Sequence, residues 1–299
     1  EATLPARCAR RLLWEQWPDV RCRLFHGLNQ RLPRWQSNAG RRMVVTFHDL
    51  FVLTGEYSTA EFRARFAAQA REAASRADLA ICVSAFTASQ VESLLGIERS
   101  RLRVVWHGVH APSSEPPPDA ERENVVLHVG AIQKRKNLPV LIEAFERLDA
   151  SWRLVLAGSE GYGAAETLAR IERSKARDRI ELTGWIGDVE LERWYRRARV
   201  FAFPSLDEGF GIPLLEAMAR GLPVVTSDRA ALREVAATAG VLVDVTAANG
   251  VQAFGDALEW VATDAGERGR LRAAGIAHAK RHSWLAAAER TWRIYQELI

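Results

Sequence analysis

Glu208 and Glu216 stand eight positions apart around the turn formed by Gly209, Phe210 and Gly211, in the stretch EGFGIPLLEAMARGLPVVTSD at residues 208–228. Pro213 suits the first turn of a helix, where an N–H has no intrahelical partner; Leu214, Leu215, Met218 and Ala219 then give that helix an apolar face. The backbone N–H groups of Gly209, Phe210 and Gly211 would project from the positive end of the helix dipole, a seat for a phosphate that needs no metal. A sugar on one side of such an anion and a ribose on the other both need hydrogen-bond acceptors, which two carboxylates supply. Glu208 is therefore expected to face the sugar and Glu216 the ribose. A solvated acidic pair beside an ordinary strand-turn-helix is the plainer alternative.

A second cluster follows VVLHVGA, a buried-strand pattern ending at Gly130 and Ala131. Lys134, Arg135 and Lys136 lie in the turn between that strand and the amphipathic run NLPVLIEAFERL. In a doubly wound sheet ligands bind outside the carboxyl ends of the strands, so these cations are expected to converge on the same anion as the turn at 209–211. Alone, three basic residues in a turn would be a solvated surface cluster.

The first of these motifs resembles the retaining glycosyltransferases of family 4, whose E-x7-E followed by an apolar helix and G-x-P-V-V is matched by Glu208, Glu216, Gly221, Pro223, Val224 and Val225. The family's G-x-l-x-x-r-K-N is matched from Gly130 onward, and its phosphate-binding lysine maps onto Lys136. Many members carry arginine directly after that glycine. Ala131 stands there in this chain, so one phosphate contact is missing or is taken over by Arg135. The resemblance implies a GT-B architecture: two Rossmann-like α/β domains, each a doubly wound parallel sheet, facing each other across a cleft.

Alternating strand and helix patterns from 125 to 245, joined by short connections, independently demand a parallel sheet covered on both faces. By resemblance the turn at 183–186 would lie beside the nucleobase, with Gly184 giving close approach and Trp185 either stacking on the base or packing in the core. The first third follows a looser version of the same alternation. His48 and Asp49 end its VVTFHDL strand, where catalytic groups collect in open sheets. An imidazole there can exchange a proton near neutral pH or hydrogen-bond a sugar hydroxyl. The segment resembles that of mannosyl-type members, which implies a role for His48 in the sugar site. Ser84, at the next strand end, either lines the cleft or caps the following helix.

The prolines and charges of residues 112–124 suit a stiff exposed connector between a first domain, 1–111, and a second, 125–299. The final stretch, HSWLAAAERTWRIYQELI, reads as a helix capped by Ser283, which in this fold crosses back to the first domain. Packing on its own domain is equally compatible with the sequence. Against the family pattern, the opening strand, glycine-rich loop and helix of the first domain are expected to be absent. Residues 1–23, with Cys8, Trp14 and Trp17, match no motif of the family.

Three cysteines of irregular spacing make neither a disulfide framework nor a metal site, so a reducing cytoplasm is the expected setting. No D-x-D motif is present, and neither metal nor cofactor is expected. The first 112 residues hold 16 Lys/Arg against 10 Asp/Glu, while the remainder hold 25 against 27, so the positive charge belongs to the acceptor half. Arg63 and Arg65 alternate with Phe62 and Phe66, a pattern able to rest on anionic lipid headgroups at the cytoplasmic membrane face, though an arginine-rich composition explains it as well. Nucleic-acid binding is excluded because no recognition motif accompanies the charge.

The expected function is transfer of a hexose with retention from a nucleoside-diphosphate sugar to a glycan or lipid-linked acceptor, as in polysaccharide assembly. VVTFHDL with RKNL favours GDP-mannose, with a UDP-hexose next. Two other readings are a non-catalytic nucleotide-sugar-binding or partner subunit and a GT-B sugar-nucleotide epimerase.

Overall fold

A computed structural model of the chain describes residues 22–33 and 41–299. Cys8, Trp14 and Trp17 lie outside the described residues. The first sheet is parallel, in the order β1 (Leu24–Gly27), β2 (Arg42–Phe47), β3 (Leu79–Cys82), β4 (Leu102–Val104). Alternation along its strands sorts side chains to two faces. Val45, Phe47, Ala80 and Cys82 pack with α2 (Ala60–Arg76) and α3 (Ala85–Leu95), which follow the short α1 (Phe51–Thr54). Val44, Leu79 and Ile81 point the other way.

The second sheet holds β5 (Val125–Val129), β6 (Arg153–Ala157), β7 (Ile180–Gly184), β8 (Val200–Phe203), β9 (Val224–Ser227) and β10 (Val241–Val243). All its pairings are parallel, in the order β10-β9-β8-β5-β6-β7. The chain runs outward from β5 to β7 and then returns to lay β8 against β5. Loops leaving these two neighbours diverge to opposite sides and open a crevice at their carboxyl ends. One face is covered by α4 (Leu138–Phe145), α5 (Ala164–Glu172) and α9 (Gly250–Thr263). The other is covered by α6 (Asp188–Arg197), α7 (Ile212–Ala219) and α8 (Ala230–Ala236), with α10 (Ala265–Ala279) packed outside α7.

The connector is largely exposed, as its composition predicts, but it is strapped to the second domain by arginines. Arg122 is 3% exposed and donates to the carbonyls of Tyr195, Ala198 and Arg220; Asp119 is paired with Arg268, and Arg272 donates to the carbonyls of Pro116 and Pro117. Arg272 serves carbonyls of the connector, Arg268 its Asp119 carboxylate, and Arg122 reaches from it to carbonyls of the second domain, so charged forks strap the segment there.

The last helix, α11 (Trp284–Gln296), begins at Ser283, whose side chain accepts from Ala286 N. It lies on the free face of the first sheet, with Ile294 buried among Val44, Leu79, Ile81 and Val105. Tyr295 Oη meets His26 Nδ1 at 2.6 Å, and Glu297 pairs with Arg103 at 2.6 Å.

Candidate functional site

The turn after β5 and the loop after β8 flank the point where strand order reverses, and they are tied together. Leu206 N donates to the carbonyl of Arg135 at 2.8 Å. Residues Lys134–Lys136 form a 3-10 turn, closed by Asn137 in the left-handed region before α4 begins. This brings Lys136 and Arg135 onto Glu208, with Nζ 2.5 Å from Oε1 and Nη1 2.7 Å from Oε2. Lys136 is 5% exposed, and its ammonium sits 4.6 Å from the centre of the Phe203 ring. Arg135 also donates to the Asp207 carbonyl and lies over Phe51 of the first domain.

Burial by itself would raise the Glu208 carboxyl, but Lys136 and then Arg135 overcome it and hold it at about 2. Desolvation lowers the Lys136 ammonium, opposed by the charge of Glu208. Neighbouring Asp49 behaves in the opposite way: burial, with help from Glu208 and Asp207, lifts it to about 6 against the pull of Arg135. Asp207 is raised by burial and steadied by a 2.7 Å hydrogen bond from Thr54. Three carboxylates therefore lie in the field of two cations at this seam, and any anion arriving there would have to compete with Glu208 for both.

Glu208 opens the glycine turn. A Cβ on Gly209 would lie 1.7 Å from the His48 carbonyl oxygen, so this close approach of the two domains admits no side chain. The Gly209 carbonyl accepts from Ser84 Oγ at 2.7 Å and from Thr87 Oγ1 at 3.0 Å. Ser84 is fully buried and also caps α3, so its hydroxyl is engaged in joining the domains rather than lining open space. The Phe210 ring points inward, edge-on to His107. Among the described residues no acceptor takes the N–H groups of Gly209, Phe210 or Gly211, so all three stay available at the start of α7.

Glu216 rides α7, its Oε2 accepting from the Tyr195 hydroxyl at 2.9 Å, a contact that fixes its rotamer. His48 is partly buried; its ring stacks on His107, with Nδ1 3.3 Å from that ring's Nε2, and its own Nε2 lies 2.7 Å from the Leu28 carbonyl. Burial, then the neighbouring His48, push His107 down to about 4, which keeps it neutral. Gly184 adopts a φ of +64°, and Trp185 beside it is 79% exposed, which removes core packing as the reason for its presence. Gly130 lies directly beneath the Lys136 side chain.

The structure thus gathers Glu208, Lys136, Arg135, Gly130 and the glycine turn, and it brings His48 to the same seam through the Gly209 contact. Sequence reasoning missed His107, Asp207 and Thr54. Of these, only Asp207 directly adjoins a recognised residue, Glu208 in LDEG. Among the described residues no group of three or more His, Cys, Asp or Glu could hold a metal ion, and no helix is long and apolar enough to cross a membrane.

Residues 112–278 match the family model described as glycosyl transferases group 1, and residues 4–113 match glycosyltransferase family 4. The chain is 30% identical to O-antigen chain mannosyltransferase B of Escherichia coli over 94% of its own length and 76% of that protein's. It is 33% identical to D-inositol 3-phosphate glycosyltransferase of Xylanimonas cellulosilytica over 70% of this chain, and spans 54% of that relative. Sucrose-phosphate synthase from Thermosynechococcus elongatus superposes with a TM-score of 0.75 at 21% identity, covering 92% of this chain and 73% of that one. WaaG, a glycosyltransferase involved in lipopolysaccharide biosynthesis, superposes at 0.74 with 19% identity, covering 97% and 80%. These two share the fold, two parallel-sheet α/β domains of the GT-B kind. With both family models matched and a long alignment at 30% identity, the chain belongs to the group 1 glycosyltransferases of family 4.

Proposed function

We propose that the chain transfers a hexose, with retention, from a nucleoside-diphosphate sugar to a glycan or lipid-linked acceptor, and that the donor is GDP-mannose. The observation that carries this reading is the Glu208 carboxylate held between Lys136 and Arg135 at the mouth of the 209–211 turn. Departure of a nucleoside diphosphate from the anomeric carbon places negative charge on the leaving group, and preorganised cations and N–H donors stabilise it. Lys136, Arg135 and the turn supply both. Glu208, exchanged from the cations to the sugar, would hold donor hydroxyls beside the oxocarbenium-like centre, with His48 near it and Glu216 on the ribose. Trp185 is free to stack on the base.

Mannose is supported by the O-antigen mannosyltransferase relative. The inositol 3-phosphate glycosyltransferases and the Anabaena HepE structures in complex with UDP and with UDP-glucose make a UDP-hexose the competing donor. The reaction needs no metal on this reading, because protein cations do the work of one. A cytoplasmic site with weak contact of α2 on an anionic membrane face would bring a lipid-linked acceptor within reach; Arg65 lies over the Phe62 ring there, on an exposed stretch.

The test is calorimetric titration with GDP and with UDP in EDTA, repeated on Glu216→Ala and Lys136→Ala. Micromolar binding of GDP in preference to UDP, weakened at least about tenfold in each variant, is expected, since one charged hydrogen bond is worth about 1.5–3 kcal/mol. Preference for UDP would replace the donor, and absence of binding to both would remove the donor site altogether.

A further inference from the structure

His128 lies on β5 two residues before Gly130 and is fully buried. Its Nδ1 is 3.1 Å from the Ala202 carbonyl oxygen. A carbonyl can only accept, so Nδ1 carries the proton and Nε2 presents a lone pair. Among the described residues no group donates to that lone pair. A buried acceptor left unpaired costs on the order of 1–3 kcal/mol, and an apolar residue would fill this strand position without that cost. Phe203, stacked 5.3 Å from the His128 ring, shows that the local packing accommodates a plain aromatic.

The unpaired nitrogen faces the phosphate machinery. A Cβ built on Gly130 would lie 3.5 Å from His128 Nε2 on one side and 3.3 Å from Lys136 Nζ on the other. Gly130, at a φ of +147°, thus leaves a narrow notch bordered by an imidazole acceptor and an ammonium donor, too tight for a Cβ unless its neighbours shift. Burial and then the charge of Lys136 hold the imidazole down at about 3, so it stays neutral at every working pH.

We propose that His128 is a positioning residue for Lys136: when the donor draws Glu208 away, the ammonium turns across the Gly130 notch and donates one N–H to His128 Nε2 and another to the diphosphate. The inference rests on the donor-site reading above. Its chemical sense lies in the difference between the two acceptors. Glu208 neutralises Lys136 in the empty site. A neutral imidazole orients the ammonium and leaves its positive charge undiminished for the leaving group. The switch is a change of hydrogen-bond partner, with no bond made or broken in the protein.

Titration with inorganic pyrophosphate, read by calorimetry and by the 15N resonance of His128 Nε2, tests this on the whole chain. Pyrophosphate is expected to shift that resonance toward the hydrogen-bonded range in the native protein but not in Lys136→Met. His128→Phe, which keeps the stack on Phe203, is expected to weaken pyrophosphate about tenfold, and His128→Gln, whose side-chain oxygen can accept in place of Nε2, to recover most of it. An unmoved resonance at saturation, or equal affinity in His128→Phe, overturns the proposal even where Lys136→Ala abolishes binding. Failure of the native chain to bind pyrophosphate, GDP or UDP would remove the donor site itself and the proposal with it. The resonance is read on native protein, so a misfolded variant leaves the decision intact.

Discussion

Glu208 is the residue at which stability and the proposed function oppose each other. Its carboxyl, held at about 2, contributes stability that is full above its unfolded value of 4.5 and is lost as pH falls toward 2. Removing it strands two cations whose side chains are 6% and 14% exposed. Breaking a buried pair from one side costs about 3–5 kcal/mol, because the remaining charge stays desolvated and unpaired. Glu208→Ala is therefore expected to melt several degrees below the native chain and to lose its acid-limb slope between pH 4.5 and 2. Pyrophosphate should restore more of the melting temperature to the variant than it adds to the native protein, since the vacated cations become its partners. Differential scanning fluorimetry with and without pyrophosphate checks this. Equal increments would mean that Lys136 and Arg135 serve Glu208 alone and are not poised for an anion.

At the level of elements, the chain reveals what is local and conceals what is distant. The cap at Ser283, the turn at 134–136 and the helix opened by Pro213 were legible because each depends on neighbours a few positions away. The convergence of Lys136 with the 209–211 turn was legible because ligands bind at the carboxyl ends of such strands, and β5 beside β8 realises it; the ion pair from Lys136 to Glu208 was not legible. The fate of α11 was legible through the family resemblance alone: its apolar residues satisfy either domain, and the decision lies in the uncovered Val44, Leu79 and Ile81 of a sheet more than 200 positions earlier in the chain. The anchoring of the connector was not legible, because Arg268 and Arg272, which hold it, stand on a helix that the alternation up to residue 245 does not reach. If α11 is what closes the first sheet, Ile294→Ala should cost about 2–5 kcal/mol through the cavity it leaves. Urea unfolding followed by hydrogen exchange would then show β2 and β3 amides losing protection while β5 and β8 keep theirs. Uniform loss across both sheets would show instead that the domains unfold as one unit.

Across the whole molecule, polar contacts of an unusual kind help to close the cleft. Besides the Gly209 carbonyl gripped by Ser84 and Thr87, the carboxylate of Glu234 on α8 reaches into the first domain. Its oxygens accept from Ala85 N at 2.9 Å, from Phe86 N at 3.2 Å and from Trp106 Nε1 at 2.6 Å. A side chain of the second domain thus satisfies the first free N–H groups of α3, where the helix dipole favours a negative charge. Those N–H groups would be hydrated if the domains parted, so the contact is reversible, and it sits at the end of the same helix whose cap holds the glycine turn. Glu234→Ala removes three hydrogen bonds without touching Lys136, Arg135 or Glu208. It should raise the exchange rate of the Ala85 and Phe86 amides by about tenfold or more, at about 1.4 kcal/mol per decade, and increase the radius of gyration in solution scattering. Glu234→Gln, with one acceptor oxygen left, should fall between. Because the Gly209 clamp remains, the variant should still bind nucleotide, with weaker apparent affinity in proportion to the time it spends open. Unchanged exchange and scattering would place the closing force in the Gly209 contact and leave Glu234 as an ordinary helix cap that happens to be donated across the cleft.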